Sequence, residues 1–107
     1  MAISQKQFAA EIVDASRSAQ KFDDIGCMLR YRRVQTGTPA ATFVVDYRTR
    51  QWLNAESAHF IHSDKLQTPM GGGFAAFGNQ RDAEAAARDF NSRVLRFPEL
   101  QAAGGAI

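Results

Sequence analysis

Two junctions in this chain share one design. Phe22-Asp23-Asp24 and Phe77-Gly78-Asn79 each end an extended stretch on a phenylalanine, then offer a short polar side chain, Asp24 or Asn79, to the start of a helical run. A side-chain oxygen placed there can accept from the free N–H groups of a first helical turn. Strand, cap and helix in that order, twice over, restrict the fold more than any single motif does.

After Asp24, the run IGCMLRYRRV is expected to be a helix over Ile25 to Val34 that turns Ile25, Met28 and Leu29 inward. After Asn79, QRDAEAAARDFNSR is expected to be helical from Gln80 to Ser92. There Ala83, Ala86, Ala87 and Phe90 follow the i, i+3, i+4, i+7 spacing of one buried face, and Asp82 and Glu84 suit the positive helix end. Strands are expected from Gln7 to Asp14 (Phe8, Ala10 and Ile12 on one face), Ala19 to Asp23, and Thr42 to Tyr47. The second set runs Ala55 to His62, Gly73 to Phe77, and Val94 to Phe97, where Pro98 stops it. The expected class is α+β, with β-β-α-β halves over 1–50 and 51–101 and a tail at 102–107. Neither half alone builds a good core, so the two are expected to pack as one domain of 1–107.

A hydrophobic content of 45% is that of a folded globule. Net charge is +2, and the arginines, among them Arg30, Arg32, Arg33, Arg48 and Arg50, are scattered singly or in pairs. A nucleic-acid partner would call for a gathered basic patch, so none is expected. No apolar run approaches the roughly 18 residues that cross a bilayer, and Met1-Ala2-Ile3-Ser4-Gln5-Lys6 does not read as a signal peptide. The single cysteine, Cys27, excludes an internal disulfide.

Catalytic machinery is hard to assemble from these residues. GGG before Phe74 lacks the later glycine of a dinucleotide loop. His59 and His62 are spaced like a metal pair, yet on a strand an i, i+3 pair points to opposite faces. Soft donors are more suggestive. Cys27 falls in the first turn of the expected helix, where the backbone dipole favours a thiolate. Met28 lies beside it, Met1 opens the chain, and Met70 sits in TPMGGGFAAF. Thiolate and thioether select Cu(I) over hard cations. Structural packing is the competing account of Cys27 and Met28. It suits Met70 less well, because a turn of proline and three glycines offers few side chains to bury a thioether; the alternative is that the long Ser63 to Gly72 loop folds back and uses Met70 as core filler.

FDDIGCM (Phe22 to Met28), VVDY (Val44 to Tyr47), WLNAESA (Trp52 to Ala58) and TPMGGGFAAF (Thr68 to Phe77), in that order, resemble the NosL family. The resemblance implies a nitrous-oxide-reductase accessory protein: a periplasmic, membrane-anchored lipoprotein that binds Cu(I) and serves maturation of the reductase's copper–sulfide centre. It implies a fold of two β-β-α-β halves like that of the organomercurial lyase. The reductase, or its membrane assembly complex, would be the partner, with the membrane reached only through a lipid anchor absent from this chain. Met70 matches the family's loop methionine, a copper-ligand candidate. Met1 aligns with the methionine of a family Cys-x-x-Cys-Gly-Met motif whose cysteines are missing here; either the chain starts inside a longer family sequence, which is the simpler account, or it is a paralogue that lost the motif. The expected metal contacts are therefore Met70 and Met1, with Cys27, Met28, His59 and His62 behind them, and no enzyme activity is expected. Two alternatives stand beside this reading: a metal-free interaction module presenting Met70 and Phe74, and a small lyase-like enzyme with Cys27 as nucleophile.

Overall fold

The computed structural model describes residues 6–34 and 40–103. A 3-10 turn (Lys6–Phe8) leads into β1 (Ala10–Val13), β2 (Ala19–Phe22), α1 (Ile25–Val34), β3 (Ala41–Val45) and β4 (Trp52–Asn54). A second 3-10 turn (Ala55–Ser57) leads into β5 (His59–His62), β6 (Phe74–Phe77), α2 (Gln80–Asp89), β7 (Leu95–Arg96) and α3 (Phe97–Ala103). The strands form two sheets, ordered β2-β1-β3-β4 and β6-β5-β7, and every strand pair is antiparallel. In each sheet the first strand of a β-β-α-β unit is flanked by the second and third. The repeat legible in the sequence is thus a repeat in space, with β4 added to the first sheet.

Alternation along the β5–β6 hairpin explains how the sheets stack. The register pairs Phe60 with Ala76, Ile61 with Ala75 and His62 with Phe74. Phe60, Phe74 and Ala76 join Ile25, Met28 and Leu29 of α1 and Ala10, Ile12 and Val44 of the first sheet in one core cluster. Ile61, Ala75 and Phe77 face the other way, against Ala83 and Ala87 of α2. The second sheet is therefore covered on both sides. FAAF is buried at every position and carries no polar alternation, as a strand packed on two faces requires. At one edge the two sheets meet, where Asp46 bridges to Ala76 and the Tyr47 N–H donates to the Ala76 carbonyl at 2.7 Å.

Several boundaries differ from the sequence reading, each for a local reason. Phe8 is in a 3-10 turn rather than on β1, and it packs into the α2-side cluster. The stretch expected as one strand from Ala55 begins as a 3-10 turn, because the Asn54 side chain accepts from the Glu56 N–H at 2.9 Å. β4 was not expected; three residues suffice for an edge strand that pairs Leu53 with Val44. α2 ends at Asp89, short of Ser92. Asn91 adopts a left-handed φ of 54°, and the Ser92 and Asn91 N–H groups close back on the Ala87 and Arg88 carbonyls, a Schellman ending. Pro98 does not stop a strand but sits in the first turn of α3, where its missing N–H would have had no helical partner. Glu99 seals that turn by accepting from the Arg96 N–H at 2.9 Å. Among the described residues, no helix is long and apolar enough to cross a membrane.

Candidate functional site

Asp24 stands between β2 and α1, immediately before the helix, and its side chain is fully buried. Oδ1 accepts from the Gly26 N–H at 2.8 Å, the capping role expected from the sequence. Oδ2 does something a cap does not require. It accepts from the Thr68 hydroxyl at 2.6 Å, the Met70 N–H at 2.8 Å and the Gly72 N–H at 3.2 Å. Burial by itself would push this carboxyl's pKa up; the bonds from Thr68, Met70, Gly72 and Gly26 outweigh it and hold the pKa below the ordinary value.

With those bonds, every backbone donor from Pro69 to Gly73 is accounted for. Pro69 has none to place. The Gly71 N–H donates to the Thr68 carbonyl at 3.1 Å, closing a turn with proline in its second position. The Gly73 N–H donates to the Thr68 hydroxyl oxygen at 3.1 Å. Gly72 lies so close to α1 that a Cβ there would overlap the Asp24 carboxylate and press on Gly26. Gly71, with φ at 76°, faces open space. The glycines therefore let the turn dock tightly on the start of α1. Met70 is left at the tip with 59% of its surface exposed, on a backbone held from beneath.

An open cleft of about 360 Å³ lies beside this turn, walled in part by His62, Leu66, Thr68 and Gly72. His62 stacks on Phe74 with ring centroids 4.4 Å apart. His59 is on the opposite face of β5, as strand geometry demands. Its imidazole pKa is lowered, first by burial and then by the Arg96 guanidinium. The two histidines do not form a pair.

Met28 is wholly buried in the core cluster shared with α1 and both sheets, which leaves its sulfur no route to an exchanging ion. Cys27 is half-buried and accepts from Arg30 Nη2 at 3.3 Å. The expectation that the helix dipole would favour a thiolate is reversed: burial first, then the Asp24 charge, raise the thiol's pKa, and Arg30 offsets this only in part. Met1 lies outside the described residues. Among the described residues, no three His, Cys, Asp or Glu side chains gather as a metal cluster.

Sequence reasoning singled out Met70 but missed Asp24 as its support, and Thr68 altogether. A signal was present: Thr68, Met70 and Gly72 alternate around Pro69 and Gly71, so their donors can converge on one acceptor. The acceptor's identity was hidden by a sequence separation of 44 to 48 residues.

A family model for NosL matches residues 1–104. Among solved structures, the crystal structure of the copper chaperone NosL from Shewanella denitrificans is similar to this chain with a TM-score of 0.75. The likeness covers 92% of each chain at 16% sequence identity, and so speaks for the fold. No curated protein sequence matches.

Proposed function

The chain belongs to the NosL family, and from that premise we propose that it is a copper chaperone, with the Met70 thioether as its principal metal contact. The observation that carries the reading is the combination at Met70: an exposed soft donor on a backbone tied down by Asp24. A methionine used for packing sits like Met28, with no exposed surface.

The chemistry follows from the donor. A thioether is neutral and soft, suits Cu(I), and binds it without first losing a proton. Held on a projecting turn, it leaves much of the metal's coordination sphere to incoming ligands. Copper can then pass to a recipient by exchange, each new ligand arriving before the old one leaves. Copper here is cargo, and an exposed site of low coordination suits cargo better than a closed tetrahedral cage does. The recipient we propose is nitrous oxide reductase or its membrane assembly complex, in the periplasm, with the copper–sulfide centre as destination. Met1 is the second contact in this proposal.

The rival reading of Cys27 as an enzymatic nucleophile has the local chemistry against it. A useful nucleophile needs its thiolate form favoured, whereas burial and Asp24 favour the thiol.

Competition against a Cu(I) chelator tests the proposal. Met70→Leu, apolar and close in volume, should weaken Cu(I) binding while leaving the melting temperature within a degree or so of the parent, as expected of an exposed site. Unchanged Cu(I) affinity would remove Met70 from the site. Transfer to copper-free nitrous oxide reductase, followed by the spectrum of the assembled centre, tests the recipient.

A further inference from the structure

We propose that Asp24 and Thr68 are positioning residues for the Met70 donor: they hold the turn in its binding geometry before metal arrives and do not themselves touch the metal. This rests on the reading of Met70 as a copper contact.

Oδ2 of Asp24 accepts three hydrogen bonds and Oδ1 one. A carboxylate oxygen has about two lone-pair directions, so three donors saturate Oδ2, while Oδ1 takes one and is otherwise closed in by the Gly26 and Gly72 backbone. The group is also fully buried. Its negative charge is nevertheless fixed directly beneath the Met70 amide. Thr68 is the relay in the same network, donating its hydroxyl proton to Asp24 and accepting from the Gly73 N–H. One side chain from the first β-β-α-β unit and one from the β5–β6 loop thus share the task of holding the turn.

Preorganisation raises affinity by removing an ordering cost that binding would otherwise meet. A turn rich in glycine has much freedom to lose. Without the Asp24 anchor, Met70 would sample many orientations, and only a fraction would present sulfur to an ion. Apparent affinity falls in proportion to that fraction.

Thr68→Val tests this, because it keeps the shape and removes the hydroxyl; Thr68→Ser restores the hydroxyl, and Asp24→Asn removes the charge. Met70→Leu serves as control. Two quantities are read on folded, metal-free protein and on its Cu(I) titration: amide hydrogen exchange at Met70 and Gly72, and Cu(I) affinity against a chelator. Thr68→Val should speed exchange at both amides and weaken Cu(I) by roughly tenfold or more, because both hydrogen bonds of the hydroxyl are lost. Thr68→Ser should recover most of both. If Met70→Leu weakens copper but Thr68→Val does not, or if serine fails to rescue, the positioning role is overturned and the Met70 reading stands. If Met70→Leu itself has no effect while exchange at Gly72 responds to Thr68→Val, the copper reading is overturned and the network is structural only. Should Asp24→Asn fail to fold, the valine and serine variants still decide the question.

Discussion

Met70 donates its backbone N–H to Oδ2 of Asp24 at 2.8 Å, across 46 residues of sequence. The most exposed soft donor among the described residues is thereby tied to one of the most buried charges. That arrangement separates two properties that usually conflict. The thioether is free to meet an ion, and the backbone beneath it is not free to wander.

The two glycines at the turn should respond unequally to alanine. Gly71→Ala meets open space and has only its φ of 76° against it, a cost of about 1 kcal/mol. Gly72→Ala drives a methyl into Asp24 and Gly26, an overpacking cost of roughly 1–3 kcal/mol. Urea denaturation of both variants checks the order, and equal losses would mean that the turn does not dock as tightly as described.

Oxidation should distinguish the methionines. Dilute hydrogen peroxide transfers an oxygen atom to an accessible thioether and leaves water, giving the sulfoxide. Met70 is 59% exposed and Met28 is fully buried, so peptide mass spectrometry of the native protein should find Met70 sulfoxide well before Met28 sulfoxide. Simultaneous oxidation would contradict the burial of Met28.

Cys27 should react slowly. Burial and the neighbouring Asp24 charge raise its pKa, and the thiolate is the reacting species. Alkylation by iodoacetamide should therefore be slower at neutral pH than that of a free cysteine. The rate should climb with pH to a midpoint above the free thiol's. A midpoint below it would revive the nucleophile reading.

A second buried carboxylate gives a stability contrast. Asp46 accepts from the N–H groups of Arg48, Thr49 and Gly78 at 2.8, 3.0 and 2.7 Å, so it ties the end of β3 to the start of the second helical unit. Asp46→Ala strands those donors and should destabilise by roughly 2–4 kcal/mol. Arg48 pairs with Asp82 at 2.7 Å but leaves 65% of its side chain in water, so Arg48→Ala should cost less than about 1 kcal/mol. Comparable losses would show that Asp46 contributes little beyond the surface pair.

The alternation of apolar residues and the two polar junctions were enough, by themselves, to determine the doubled β-β-α-β order. They also determined where α1 and α2 start and which face of α2 is buried. Those features depend on neighbours a few residues apart, where capping and helical period act directly. The likeness of TPMGGGFAAF to a family motif pointed to Met70 for a similar reason, since a turn of proline and glycine discourages burial whatever surrounds it. Tertiary structure alone decided the rest. The end of α2 depended on Asn91 accepting a left-handed backbone, and the start of α3 on a proline that sequence reading took for a stop. Cys27 lost its expected thiolate character because its own burial, and then the Asp24 charge held beside it, raise the thiol's pKa. That charge stays buried because Thr68, Met70 and Gly72 arrive from another part of the chain to satisfy it. A linear sequence shows which groups can donate and accept, but which of them meet across more than forty residues is decided only when the two sheets pack.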